Sequence, residues 1–169
     1  MPLERVFDDD AELVLDDRLS PILIATWFGS ATAQTVQAFE VWLDERIAEA
    51  RARGERLTLI NDSIDADRPK PEARRRFTEH EFDSEVLIAL PAVITNPLVR
   101  GAMTAIGWVL GDKMKAVSSW ASLPEAFEFA RGALRDAGAR PPPPSRIQGY
   151  VRPERESRAS KRPARDALR

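Results

Sequence analysis

The fold of this chain is decided by one stretch, Arg56-Leu-Thr-Leu-Ile-Asn-Asp-Ser-Ile-Asp-Ala-Asp-Arg-Pro-Lys-Pro-Glu-Ala-Arg-Arg-Arg76. Residues 57–60 are short and apolar, which predicts a strand covered on both faces, as in a parallel sheet. An acidic loop follows, and Pro71 suits the first turn of a helix at 71–82 because that position needs no backbone N–H. Since α/β proteins place binding groups where a strand runs into a helix, we expect any binding surface to lie here.

The flanking sequence predicts four further strands and three further helices. The strands are expected at 11–18, 21–28, 91–95 and 115–120, and the helices at 31–53, 97–110 and 123–137. A turn-like segment at 16–20 predicts that the first two strands pair antiparallel. Strands separated by single helices favour parallel pairing with right-handed crossovers. The predicted order is β-β-α-β-α-β-α-β-α, an α/β fold with a mixed, mostly parallel sheet and helices packed on it.

Capping residues and a proline predict two helix starts and one strand boundary. Ser30 is the expected N-cap of the long helix. Ser122 and Glu125 have the spacing of a capping box at the last helix. Pro91 disfavours a strand interior, so we expect residues 86–90 to form a linker and the strand to begin at Pro91.

Charge and composition divide the chain into a domain and a tail. The chain has 169 residues, of which 43% are hydrophobic, enough for a core at this length. Residues 139–169 contain nine basic and three acidic residues and little apolar content. We therefore predict an acidic α/β domain at 1–138 and a disordered, basic, Pro/Arg-rich tail at 139–169.

Several classes of protein are disfavoured by the residues that the chain lacks. It has no cysteine and one histidine, which excludes disulfides, thiolate zinc sites and cysteine nucleophiles. No apolar run approaches the roughly 20 residues that span a bilayer. Residues 1–10 lack the apolar core of a signal peptide, so we expect a cytoplasmic protein without membrane insertion.

The order of elements and three segments resemble a known family. The segments are Arg74-Arg75-Arg76, Val93-Ile-Thr-Asn-Pro-Leu-Val-Arg-Gly-Ala-Met-Thr-Ala-Ile-Gly-Trp108 and Val117-Ser-Ser-Trp-Ala-Ser-Leu-Pro-Glu-Ala-Phe127. Over residues 5–137 the chain resembles the STAS-like domains of the bacterial STAS/SEC14-like family, which is related to anti-sigma factor antagonists. The resemblance implies a regulatory, protein–protein interaction module in bacterial signalling and not an enzyme.

The resemblance also implies a place to look for a phosphorylation switch. In the phospho-switch members a serine or threonine begins the helix after the third strand. Here that helix begins at Lys70-Pro71-Glu72, and Ser63 is the one hydroxyl in the preceding loop. A phosphate on Ser63 would be repelled by the neighbouring aspartates and attracted by the arginines that follow. The alternative is a serine that hydrogen-bonds the loop backbone.

Three carboxylates, Asp62, Asp65 and Asp67, follow the predicted strand at 57–60. Carboxylate oxygens are ligands for Mg²⁺ and Ca²⁺, and a metal-dependent enzyme would use them. The spacing lacks the glycine and the distal glutamate of an EF-hand loop. We therefore predict a solvated acidic loop, with no metal ion and no cofactor.

Basic residues follow the acidic ones, at Arg68 and at Arg74, Arg75 and Arg76. They are candidates for binding an acidic partner or a phosphate. Three adjacent helical residues spread over about 200°, so they cannot all face one ligand. At least one of them is expected to pair with the acidic loop or with Glu72.

Asn96-Pro97 is the predicted start of the helix at 97–110. The free N–H groups of a helix start can hold an anion, and Arg100 lies one turn further on. The alternative is a self-capped helix with Arg100 in a surface ion pair.

The leading hypothesis is a non-catalytic module that binds a protein partner through the acidic and basic residues of this edge. The alternative is a module that binds a small ligand, such as a nucleotide, a phosphate or a lipid. Nucleic acid is not an expected partner, except weakly through the charge of the basic tail, because Tyr150 is the one aromatic residue of that tail. A homodimer is compatible with the sequence.

Overall fold

The computed structural model of the chain describes residues 3–96 and 117–156. Its strands are β1 (Glu4–Asp8), β2 (Ala11–Asp16), β3 (Ile22–Gly29), β4 (Leu57–Ala66), β5 (Leu87–Val93) and β6 (Val117–Trp120). Its helices are α1 (Ala33–Arg53), α2 (Pro71–Glu79), α3 (Leu123–Asp136) and α4 (Pro144–Gln148). The helix predicted at 97–110 lies outside the described residues.

The six strands form one mixed sheet in the order β1-β2-β3-β4-β5-β6. The pairs β1–β2 and β2–β3 are antiparallel, and β3–β4, β4–β5 and β5–β6 are parallel. The α/β class and the mostly parallel sheet are therefore confirmed. The predicted order lacked β1, which forms from residues 4–8 at the edge of the sheet.

The sheet carries helices on both faces, and the alternation of residues along β3 shows why. Leu23, Ala25 and Trp27 pack in one apolar cluster with residues of α1 and with Ala73 of α2. Ile22 and Ile24 pack in a second cluster with residues of α3. Successive side chains of a strand point to opposite faces, so an apolar strand supplies two cores at once.

Two strand boundaries differ from the prediction. The strand β4 continues through the expected acidic loop to Ala66, because it pairs with β3 as far as Gly29. The strand β5 occupies Leu87–Val93, with Pro91 in its interior rather than at its start. Pro91 is buried between two neighbouring strands. The burial of this apolar run outweighs the one ladder hydrogen bond that proline cannot make.

The helix caps also differ from the prediction. Thr32, not Ser30, is the N-cap of α1, and it forms a reciprocal capping box with Thr35. Ser122 is the N-cap of α3, but its side chain makes no capping hydrogen bond. The carboxylate of Glu125 instead accepts a hydrogen bond from the backbone N–H of Ala121 at 3.2 Å.

Residues 139–156 lie against the sheet, and we call this segment the C-terminal strap. Its apolar residues Ala139, Ile147 and Tyr150 pack on the cluster that α3 forms with the sheet. This position differs from the expectation of a disordered tail for residues 139–156. Composition alone did not predict that this segment packs on the domain, because the packing depends on a few apolar anchors and specific ion pairs. Residues 157–169 lie outside the described residues.

Candidate functional site

Three carboxylates, Glu12, Asp16 and Asp62, are buried on one face of the sheet, each exposed by 2% or less. Glu12 and Asp16 alternate along β2 with Leu13 and Leu15, which belong to the core under α1. The acids therefore face the opposite side, the side of α3 and the C-terminal strap. We call these three carboxylates and their surroundings the acidic face. A buried carboxylate is unfavourable unless a cation or hydrogen-bond donors accompany it.

A β-bulge adds a fourth carboxylate, that of Asp65, to the acidic face. In a regular strand, residues three apart point to opposite faces. The β3–β4 register, however, shifts by one residue between Thr26 and Phe28, so that Thr26 lies opposite Asp62 and Phe28 lies opposite Asp65. The bulge thus turns Asp62 and Asp65 toward the same side. Asp62 is fully buried, whereas Asp65 is exposed.

Arg152 of the strap joins these two aspartates. Its Nε donates to Asp62 Oδ2 at 2.5 Å, its Nη2 to Asp62 Oδ1 at 3.2 Å and its Nη1 to Asp65 Oδ2 at 2.6 Å. The guanidinium also lies over the ring of Phe28, 5.3 Å from its centre. Burial alone would lower the pKa of Arg152, but the hydrogen bonds and charges of Asp62 and Asp65 outweigh it and raise that pKa. Arg152 is therefore a permanent cation in this site.

The other two buried carboxylates are also paired with arginines. Glu12 forms an ion pair with Arg5 of β1 and accepts a hydrogen bond from the backbone N–H of Glu156 at 2.9 Å. Asp16 accepts hydrogen bonds from the Nε and Nη2 of Arg18, at 3.0 and 2.7 Å. The strap therefore contacts the acidic face both through a side chain and through its backbone.

Tyr150 of the strap lies beside the same carboxylates. Its ring packs edge-on against Phe127 with 5.4 Å between ring centres, and the guanidinium of Arg18 lies 5.9 Å from its centre. Burial raises the pKa of the Tyr150 hydroxyl, and the negative charges of Asp16 and Asp62 raise it further. The hydroxyl is held in its neutral form by this environment.

Next to the Arg152 ion pair, a cleft of about 540 Å³ opens at the carboxyl ends of β3, β4 and β5. It is lined by Phe28, Ile64, Asp65, Ala66, Asp67, Asn96, Arg152, Glu154 and Arg155. This is the edge of a parallel sheet where α/β proteins bind their ligands. We call it the edge cleft.

The sequence-predicted site residues are divided between the edge cleft and the opposite face. Asp65, Asp67 and Asn96 line the cleft, and Asp62 is buried next to it in the ion pair with Arg152. Ser63 lies within β4 and not in a loop. Arg68 is exposed between β4 and α2.

The three adjacent arginines of α2 do not join the aspartates of β4. The helix α2 packs against α1, in the core on the other face of the sheet. Arg76 forms an ion pair there with Glu40, which is 7% exposed. Arg75 lies 3.6 Å from Glu79, one turn further along α2. Arg74 is partly exposed on the same helix, and Arg100 lies outside the described residues.

The arginine that does pair with Asp62 and Asp65 was missed by the sequence analysis. A basic partner was expected near in sequence, whereas Arg152 is 90 positions from Asp62. The sequence did contain one indication that this segment contacts the domain. Tyr150 and Arg152 place an aromatic ring and a cation close together in a segment predicted to be a disordered tail.

Neither a metal site nor a membrane span is found in the described part of the chain. Within residues 3–96 and 117–156, no three His, Cys, Asp or Glu side chains are arranged to hold a metal ion. Both carboxylate oxygens of Asp62 are already engaged by Arg152. Over the same residues, no helix is long and apolar enough to cross a bilayer.

Comparison with protein-family models, with curated proteins and with solved structures finds no match to this chain. The resemblance to STAS-like domains therefore stays a prediction from sequence.

Proposed function

We propose that this chain is a non-catalytic protein-interaction and regulatory module, and that it binds its partner at the edge cleft and the adjoining acidic face. The observation that carries the proposal is that a polypeptide segment already occupies this face, through the ion pair of Arg152 with Asp62 and Asp65. A surface that accommodates both an arginine and the backbone beside it is suited to a protein ligand.

The charges around the edge cleft support the same proposal. Asp65 and Asp67 are exposed there, next to Arg155 and Glu154 of the strap. A polar rim of mixed sign around a partly apolar floor, here Phe28 and Ile64, is typical of protein-binding surfaces. Mixed charges also select partners and speed their encounter.

Among the described residues, the single histidine does not support catalysis at this site. His80 lies 3.2 Å from Asp44 of α1 and packs against Phe82, in contact with the core on the other face. A general base must reach the proton that it removes, and His80 is separated from the edge cleft by the sheet. The proposal that the module serves bacterial signalling rests on the sequence resemblance alone.

The test is affinity capture from a native extract with two matched charge variants of the full chain. Asp67→Lys reverses one charge in the edge cleft, and Asp136→Lys reverses one at the exposed end of α3. We expect a partner that is retained by the wild type and by Asp136→Lys and lost with Asp67→Lys. Identical sets of captured proteins for all three chains would refute the placement of the surface.

A small anionic ligand is the second candidate function, because Arg152 and Arg155 both line the edge cleft beside Asn96. A nucleotide, a phosphate or a lipid headgroup would accept hydrogen bonds from these groups. A ligand at 100 times its Kd stabilises the folded chain by about 2.7 kcal/mol, which thermal denaturation detects. Inorganic phosphate, nucleotides and short-chain phospholipids that leave the melting temperature unchanged would exclude this candidate.

A further inference from the structure

We infer that the C-terminal strap is a self-ligand, and that the acidic face receives an arginine-bearing extended segment of a protein partner in its place. This inference rests on the proposed function and specifies the chemistry of the partner. The strap is then an inhibitor of partner binding, and the partner must displace it.

The hydrogen bonds of the site fit an arginine side chain. The two oxygens of Asp62 and one of Asp65 accept hydrogen bonds from three different nitrogens of one guanidinium. This fork requires a planar group with several N–H donors, which lysine does not have. The ring of Phe28 adds a flat surface for the same planar cation.

Two of the contacts that hold the residues after this arginine are made by backbone atoms, which any sequence supplies. The carbonyl of Glu154 accepts a hydrogen bond from Arg5 Nη1 at 3.1 Å, and the backbone N–H of Glu156 donates to Glu12. The side chain of Glu154 is exposed, whereas the buried Pro153, the bond of Arg155 to the carbonyl of Asp10 and the ion pair of Glu156 with Arg5 are specific to the strap. A foreign segment with an arginine at the first position can therefore make the same backbone contacts.

The strap contributes little regular structure compared with the strands beneath it. It adds no strand to the sheet, and its one helix, α4, has five residues. Val151 is 76% exposed, and residues 154–156 are exposed as well. Segments with few buried contacts open at a lower free energy than the core does. A strap linked to its own site has an effective concentration in the millimolar range, so a partner needs further contacts, which the edge cleft offers.

The test measures binding of a labelled peptide of residues 144–156 to the full-length chain by fluorescence anisotropy. The strap variant Arg152→Gln loosens the self-ligand and leaves Asp62 and Asp65 intact. We expect this variant to bind the peptide at least about tenfold more tightly than the wild type, because the strap no longer competes. Adding Asp62→Asn to the same chain should remove the gain. A peptide with Arg152→Lys should bind the loosened chain at least about tenfold more weakly.

A second loosened chain covers the case in which the first does not fold. Tyr150→Ser removes the aromatic anchor of the strap on Phe127 but keeps every carboxylate and Arg152. Circular dichroism selects the variant that retains the wild-type fold. A folded, loosened chain that binds the peptide no better than the wild type, or binds the Lys peptide equally well, overturns the inference. In that case a partner lost with Asp67→Lys alone would still support the interaction module, so the two proposals fail separately.

Discussion

Replacing Arg152 by Gln tests the central ion pair of the acidic face. The change leaves Asp62, which is fully buried, without its cation. Removing one partner of a buried ion pair costs about 3–5 kcal/mol when the remaining charge stays buried. Here the cost is smaller, because the side chain of Arg152 is 25% exposed and solvent reaches the pair from that side. We expect a loss of about 1–3 kcal/mol in the free energy of unfolding, the cost of an unmade hydrogen bond to a charged group.

Urea denaturation, followed by far-ultraviolet circular dichroism, measures this loss directly. In a domain of this size each kcal/mol lowers the melting temperature by about 2–4 °C, so a thermal scan should show a matching decrease. The double variant Arg152→Gln/Asp62→Asn, compared with the two single variants, isolates the interaction between these two side chains. We expect a coupling energy of about 1–3 kcal/mol. Arg155→Gln is the matched control, because Arg155 is exposed and donates to a backbone carbonyl. Its effect should stay within about 0.5 kcal/mol.

An Arg152→Gln chain as stable as the Arg155→Gln control would refute the conclusion that the ion pair of Arg152 with Asp62 stabilises the fold. A coupling energy near zero with Asp62→Asn would refute it equally, since it would mean that the two side chains do not interact in solution.

Three further changes test other contacts. Tyr150 is the one tyrosine of the chain, so the ultraviolet absorbance of tyrosinate should titrate above the usual pKa of about 10. Because this pKa is higher in the folded state, the stabilising contribution of Tyr150 should be fully present below pH of about 10 and be lost above it, and Tyr150→Phe should make the loss of stability above that pH smaller. Gly29→Ala should destabilise the chain more than Gly54→Ala: both glycines have positive φ, but only at Gly29 would a Cβ lie 2.5 Å from a backbone oxygen. Arg76→Glu should cost about 1–3 kcal/mol in urea denaturation by placing a carboxylate against a buried one, whereas Arg75→Glu, on a side chain 70% exposed, should cost no more than about 0.5.

The sequence determined the α/β class, because apolar runs at 22–28 and 57–60 with a long amphipathic helix between them fit a covered parallel sheet. The same periodicity located α1 and α3 within a few residues. It could not find β1, whose burial is only partial and whose strand form depends on pairing with β2. Pro91 was expected to begin a strand rather than lie inside one, because the local penalty of proline is visible in sequence and the burial that offsets it is not.

Sequence reasoning also identified Asp62 and Asp65 as residues of interest but assigned them to a solvated loop. Their true setting depends on two features that sequence proximity does not show. A bulge against β3 turns both side chains to one face, and Arg152, 90 positions away, reaches them from the strap. The arginines of α2, at least one of which was expected to pair with the acidic loop or with Glu72, lie on a helix that packs on the other core, where Arg76 pairs with Glu40 and Arg75 with Glu79.

The division between sequence and tertiary structure therefore follows the range of the interactions. Hydrophobic periodicity is local, and it located most of the helices and strands, including β3, α1, β4 and α3. The pairing of buried charges is not local, because any arginine on a long chain can neutralise a buried carboxylate. Only the tertiary structure decided that the cation would be Arg152, and thus that a segment assigned as a tail covers the acidic face.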